Sequence, residues 1–472
     1  MVGMIDVVVI VLYFLFILTI GVISYRRVKN EQDFSLAGRS LGYPLLIGAI
    51  TATAIGSGAT LGVGGLSYNI GIASLWSVIA YALGLIGFAF IARVIRRIKL
   101  WTIPEVLRER YGNTTRIVVA IFLMLGLIAL FGVQVAALGT VFTVIGDVFG
   151  VTYGTAVLIA GGVMIAYTFA GGMFAIAYTE IVQAFLLLSV LGIMMPLFVF
   201  GDTPLATVAA GVPEKMFDFM RGAPVHTMIG WFLTLLPICF IDVSLWQRAS
   251  SARNEGVAVK SILVSTVLYF GYSVAIILVG IAGFYHYPDL VKTYGTSDVV
   301  IPVIIGKHLP VVAVGLSLAA ILAVVMSTAA SVLMVAGMTG STDIARIFKP
   351  NMNERQGLLV ARLSVLVIGI LGVSFSLLMR GIFDMMLLAF ALFISGAFVP
   401  VMAALFWKKA TPRGAVFSMI GGMIVVVALY GLNKPYNIEP IFGALVISSV
   451  LMYVVSIITY KPGITSKRLA DR

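Results

Sequence analysis

The chain has 472 residues, of which 61% are hydrophobic and only 11% charged, and its mean hydropathy is +1.11. A water-soluble domain carries roughly a quarter charged residues, so this balance excludes a soluble fold and requires apolar surface facing lipid as well as a core. A single cysteine, Cys239, excludes a disulfide-stapled fold and a multi-cysteine metal site, while the net charge of +12 points either to nucleic acid or to basic cytoplasmic loops.

Crossing a hydrocarbon layer of about 30 Å takes roughly 20 helical residues. Sufficiently apolar stretches run near 4–25, 42–69, 72–95, 115–147, 151–170, 173–200, 226–249, 257–285, 309–340, 358–380, 384–407, 414–432 and 437–460. Thirteen predicted spans place the termini on opposite sides. The first is not a signal peptide, because nothing basic precedes it and Arg26 and Arg27 follow it. Alternate loops differ sharply in charge. Arg26, Arg27, Lys29 and Arg39 follow the first span, and Arg93, Arg96, Arg97, Lys99, Arg108, Arg110 and Arg116 follow the third. The same side collects Arg248, Arg253 and Lys260, then Arg346, Lys349, Arg355 and Arg362, then Lys408, Lys409 and Arg413, and finally Lys461, Lys467, Arg468 and Arg472. That side holds twenty-five of the 31 basic residues; the other holds Lys215, Arg221, Lys292, Lys307, Arg380 and Lys434. Basic residues near span ends favour the cytoplasm, so the N-terminus is expected outside and the C-terminus inside. Six separate basic segments form no groove-facing stripe, which removes the nucleic-acid reading. One multi-pass domain in the plasma (inner) membrane is expected to fill residues 1–472.

Two spans are interrupted. The second carries Gly56-Ser57-Gly58 near its middle, and the seventh reads Leu235-Leu-Pro237-Ile-Cys-Phe-Ile-Asp242. Broken helices at membrane depth line cavities, whereas small residues also serve close helix packing and a proline also merely kinks. The two segments lie five spans apart, and an odd shift inverts orientation. In the ninth span, Val324-Val-Met-Ser327-Thr328 brings one carbonyl and two hydroxyls to one helical patch. With carbonyls freed at Ala54 and Ser57 these would make a five-oxygen cation site; alternatively the hydroxyls bond back to their own helix.

Several ordered motifs carry a resemblance that runs the length of the chain. They are Asp33-Phe-Ser-Leu-Ala-Gly38-Arg-Ser-Leu-Gly42, Thr102-Ile-Pro-Glu-Val-Leu-Arg-Glu-Arg-Tyr-Gly112 and Tyr167-Thr-Phe-Ala-Gly171-Gly172-Met-Phe-Ala175 leading into Tyr178-Thr-Glu180-Ile-Val-Gln183. Trp246-Gln-Arg248 and Ala319-Ala-Ile-Leu-Ala-Val-Val-Met-Ser327-Thr328 follow. Together they resemble the sodium:solute symporter family, which includes proline, pantothenate, sialic acid and sodium/glucose symporters. The resemblance implies an all-α, leucine-transporter-like core of two inverted five-helix repeats, over 42–200 and 226–407. One extra helix precedes it at 4–25 and two follow at 414–460. It places the family's Na+ site on the carbonyls of Ala54, Ser57 and Val324 and the hydroxyls of Ser327 and Thr328. A second Na+ site would need Glu180, Ser327, Ala330 and Ser331, and Ala330 has no hydroxyl, so one Na+ per cycle is expected.

Na+-coupled uptake of a small organic solute by alternating access is therefore expected, with no covalent chemistry and no obligate protein partner. Leu61 stands where sugar and sialic acid transporters place a polar residue, which argues against sugars. Free N–H groups at Gly56 and Gly58 suit a carboxylate, so an amino acid or other small carboxylate fits better. Gln134 and Trp76 are candidate lining residues, Trp76 equally a packing residue. Asp242, an acid near mid-membrane, suggests function: it either holds a solute ammonium, carries a proton or pairs structurally. Glu180 reads as a gate or as the partner of a hydroxyl or arginine. Asp384 and the three histidines are expected in water at the outer ends. The competing readings are proton coupling through Asp242 or Glu180, and a transporter-derived nutrient sensor. The sensor is disfavoured because only twelve residues follow the last span. No HExxH or GxSxG motif supports an enzyme.

Overall fold

A computed structural model describes residues 4–25, 41–98, 102–146, 152–379, 381–432 and 439–460, and its regular elements are helices. Lipid offers no water to backbone groups, so helices that satisfy their own N–H and C=O groups are the open-chain solution. In chain order they are α1 (Met4–Tyr25), α2 (Tyr43–Ala54), a π-helical turn Gly58–Gly62, α3 (Val63–Ile70), α4 (Leu75–Ile98), α5 (Ile103–Tyr111) and α6 (Asn113–Gly146). Then come α7 (Tyr153–Leu186), a π-helical stretch Leu187–Met194, α8 (Met195–Asp202), α9 (Leu205–Gly211), α10 (Val225–Ile241), α11 (Val243–Ser251) and α12 (Glu255–His286). The last are α13 (Leu290–Tyr294), α14 (Val300–His308), α15 (Ala313–Met338), a π-helical turn Thr339–Ala345, α16 (Arg346–Phe348), α17 (Glu354–Leu378), α18 (Ile382–Phe406), α19 (Pro412–Gly431) and α20 (Pro440–Thr459). Ten helical stretches among the described residues are long and apolar enough to cross a membrane.

Helix α15 is the axis of the bundle, with almost every side chain buried. Its small residues let neighbours approach: a Cβ on Gly337 would lie 3.1 Å from the Ala361 carbonyl of α17. Its first turn begins at Val312, a β-branched residue at φ 74°, a conformation that costs about 1–3 kcal/mol. The Asp6 carboxylate of α1 compensates there, with Oδ1 accepting from Val312 N at 3.0 Å and Gly315 N at 2.9 Å.

The basic loops meet at one end. Arg96 donates to the Ala252 carbonyl at 2.7 Å, Arg97 pairs with Glu255, Arg110 donates to the Lys408 carbonyl at 3.0 Å, and Arg116 pairs with Asp343 at 2.9 Å. Arg248 is a correction to the charge count. It is buried in the bundle, because Glu180 and carbonyl oxygens neutralise and solvate it there, and it belongs to no loop. Arg26, Arg27, Lys29, Arg39, Lys99, Lys434 and the C-terminal basic residues from Lys461 to Arg472 lie outside the described residues, as does Arg380.

The fifth and sixth predicted spans form helix that continues across Gly171 and Gly172. Tyr153 bonds the Ser376 carbonyl near the end of α17 and Phe169 lies under Arg362 near its start, so this part of the helix runs antiparallel to α17; its Tyr153 end adjoins Tyr294 and Thr296. That end also holds α13 and α14, which are too short to read as spans. Asp384 and His226 are exposed. His286 and His308 are half-buried, with rings 4.4 Å apart, and His308 bonds Tyr287 at 3.2 Å.

Asp298, just ahead of α14, was not singled out in the sequence. Its Oδ2 accepts from Ile382 N at 2.8 Å, and its Oδ1 lies against Gly65, which leaves no room for a Cβ there. Burial pushes its carboxyl up to about 6, with the Ile382 N–H opposing.

Two stability measurements test these contacts. Asp343 is almost wholly buried, so Arg116→Met should cost about 3–5 kcal/mol. R116M/D343L should recover much of that loss in thermal unfolding, and simple additivity would show the pair uncoupled. A raised Asp298 pKa favours the fold at low pH and loses that contribution as pH rises towards about 6. The melting temperature of D298N should therefore gain on the native protein from about pH 4 to pH 6 and run level above. A gap independent of pH would mean that Asp298 ionises as it does in the unfolded chain.

Candidate functional site

The second span breaks where its glycines sit. Helix α2 ends at Ala54, Ile55 leaves helical geometry at ψ 72°, and the chain resumes helix at Ser57. Both sequence readings of the glycine pair hold at once. The chain unwinds beside Gly56, and both glycines also permit close approach. A Cβ on Gly56 would come within 3.2 Å of Thr328 Oγ1, and the Met386 thioether occupies the space beside Gly58. The π turn that follows is anchored by Thr60, whose hydroxyl shares a 2.8 Å hydrogen bond with Tyr272.

The seventh span breaks at Asp242 and not at Pro237, through which α10 remains helical. Asp242 adopts ψ 110°, and its Oδ1 accepts from Ser244 N at 2.7 Å and Leu245 N at 3.1 Å, capping α11. An Asp followed by Val243, Ser244 and Leu245 is a legible helix-start signal, and it would have located this break.

The ninth span meets the first break directly. Thr328 Oγ1 donates to the Val324 carbonyl at a long 3.3 Å, so the back-bonded alternative is met in weak form at Thr328 alone. Ser57 Oγ is buried without a hydrogen-bond partner, and Ser327 Oγ is buried with the Glu180 carboxylate as a polar neighbour within reach. An orphaned buried hydroxyl is rare in native proteins and calls for an explanation. Here the two serines lie on the two elements whose oxygens fit a small hard cation.

Below this patch lies a buried ionic network. Arg248 pairs with Glu180, donates to Ser331 Oγ at 3.1 Å, and donates to the carbonyls of Ala49 and Ser244, each at 3.1 Å. Ser331 also donates to Glu180 at 3.3 Å. Of the expected roles for Glu180, partnership with an arginine and a hydroxyl is the one seen.

Between the breaks is a cavity of about 70 Å³. A single water needs about 10–15 Å³ on this measure, so there is room for several waters or one small solute. Ala54, Gly56, Gly58, Gln134, Asp242 and Thr328 all line it. Leu61 and Trp76 do not. Leu61 is fully buried in the π turn. Trp76 stacks on Phe219 at 4.5 Å and donates to its carbonyl at 2.9 Å, which is the packing alternative. Sequence reasoning missed Tyr81, Tyr269, Phe383 and Phe390, which supply the aromatic wall; isolated aromatics in apolar spans carry no signal that separates lining from packing.

Comparison with known proteins agrees with this architecture. The model of the sodium:solute symporter family matches residues 34–422. The high-affinity proline transporter PutP of Bacillus subtilis (strain 168) is 27% identical, over 94% of this chain and 96% of its own. A sodium/proline symporter of Staphylococcus aureus (strain USA300 / TCH1516) is 26% identical, over 96% and 93%. The fold is similar to that of the substrate-bound outward-open state of a Na+-coupled sialic acid symporter, with a TM-score of 0.79, 19% identity and 99% of both chains covered. This chain belongs to the sodium:solute symporter family, and is a multi-pass plasma-membrane transporter and not an enzyme.

Proposed function

We propose that the protein couples inward movement of Na+ to uptake of a small organic solute, an amino acid or other small carboxylate, by alternating access. The observation that carries this reading is the apposition of the α2 break, at Gly56, to Thr328 of α15. Oxygens from Ala54, Ser57, Val324, Ser327 and Thr328 would hold the ion between these two elements. An ion there adds attraction between α2 and α15 and favours one arrangement of the bundle, and solute binding across both breaks then favours closure. Release at the other side follows when the elements part. The solute carboxylate is assigned to the helix start at Ser57, where no side chain caps the turn and the helix dipole favours negative charge.

The same reading takes the chain as thirteen crossings with the N-terminus outside. The broken helices are the first members of repeats over 42–200 and 226–407, with 4–25 before and 414–460 after. One Na+ per cycle is favoured, because Arg248 engages both Glu180 and Ser331 and Ala330 offers no hydroxyl. A second reading, proton coupling through Asp242, draws on that residue's place in the cavity lining.

A thermal-unfolding screen of amino acids, monocarboxylates, pantothenate, choline and sugars, each in Na+ and in K+, identifies the solute. At 100 times its Kd a ligand adds about 2.7 kcal/mol. Uptake of that solute into proteoliposomes then tests the ion. Ser327→Ala combined with Thr328→Ala should abolish uptake driven by a Na+ gradient while the protein stays folded. Full Na+-driven uptake by the double variant would remove the site, and uptake driven equally by a proton gradient would transfer coupling to Asp242.

A further inference from the structure

Several arginines at the basic end find an acid within the chain. Arg97, Arg108, Arg116 and Arg248 pair with Glu255, Glu105, Asp343 and Glu180, whereas Arg362 of α17 makes no ion pair among the described residues. Its own helix offers no counter-ion: Leu358, Leu359, Val365 and Leu366, one turn away on either side, are all apolar. The neighbouring helix offers none either, because residues 170–178, which continue α7 beyond Phe169, include no Asp or Glu. The side chain is nevertheless held in place. Its guanidinium carbon lies 5.3 Å from the centre of the Phe169 ring, and its Nε is buried without a hydrogen-bond partner.

We propose that the groove between α7 and α17 at this end holds an anionic phospholipid, with its phosphate on Arg362 and its acyl chains along the apolar face of α17. Stacking on Phe169 leaves the N–H edge of the guanidinium free, and that edge matches a phosphate in bidentate geometry. Arg362 lies about 12 Å along α17 from Glu354, at 1.5 Å per residue, where an unpaired charge in an apolar layer is costly. Arg355, two turns nearer the helix start, falls on the same face and is exposed, which adds positive charge at the water edge. On the lipid side of Arg362, Leu359, Leu363 and Leu366 are exposed. The combination selects the ligand. A soluble anion would satisfy the guanidinium but bury nothing on the leucines, and a zwitterionic lipid brings its own ammonium and leaves the positive charge uncompensated. An anionic lipid supplies both the charge and the apolar chains, as basic pockets between membrane helices on the cytoplasmic side require.

The test is thermal unfolding of the full-length purified protein in an uncharged detergent, titrated with phosphatidylglycerol, with phosphatidylcholine of the same acyl chains, and with inorganic phosphate. Phosphatidylglycerol should raise the melting temperature at concentrations where the other two do not. Arg362→Gln should need about fivefold more of it for the same shift. Lys260→Gln, which removes an exposed cation of α12 at the same end, should titrate with the native protein. Should R362Q unfold early without lipid, Phe169→Leu serves in its place; it keeps the charge and removes the stacking, with an expected loss of about threefold. The proposal falls if phosphatidylglycerol does not stabilise, if phosphatidylcholine stabilises equally, if the folded variant titrates as the native protein does, or if K260Q loses as much. Equal stabilisation by inorganic phosphate that depends on Arg362 would make this a site for a free anion and overturn the lipid.

Discussion

The buried Arg248 guanidinium holds the two broken helices in register. It reaches the Ala49 carbonyl of α2, the Ser244 carbonyl of its own helix, Glu180 of α7 and Ser331 of α15. A charge at this depth is tolerable only when it is paired and its remaining donors are satisfied, and this arrangement does both. Its placement one helical turn beyond Ser244 follows from the cap that Asp242 forms at the start of α11. The cap, the ionic network and the cavity are thus consequences of where one helix stops.

Much of this was legible in the chain. Hydropathy and length pointed to an all-helical membrane fold, because a lipid-facing helix has few compositional options, and ten helices among the described residues are long and apolar enough to cross. Alternating charge separated the two ends, and contacts among Arg96, Arg97, Arg110 and Arg116 and their partners draw those loops together. The first break was legible because Gly56 and Gly58 lack the Cβ atoms that Thr328 and Met386 would otherwise meet.

What was not legible depends on pairs distant in sequence. Arg248 is 68 positions from Glu180, and nothing local marks it as buried rather than as one more loop cation. Trp76 and Leu61 depended on which way a helix face turns, and packing settles that. Asp298 acquires its meaning from Gly65 and Ile382, both remote from it in the chain. The second break lay within the segment read from Leu235 to Asp242, and the alternative that Pro237 merely kinks its helix is the one seen, because a kinked helix can continue past proline where a capped one must restart.

The clamp between Asp6 and the start of α15 also sets an order of events during synthesis. Its two partners lie 309 positions apart, and at about 5–20 residues per second a ribosome needs roughly 15–60 s to cover that distance. Throughout that interval the two α15 N–H groups that Asp6 finally accepts from do not yet exist. Formation of the start of α15 then draws α1 onto a helix made much later. The contact between α1 and the start of α15 can therefore form only after the 309 positions that separate its partners have been made.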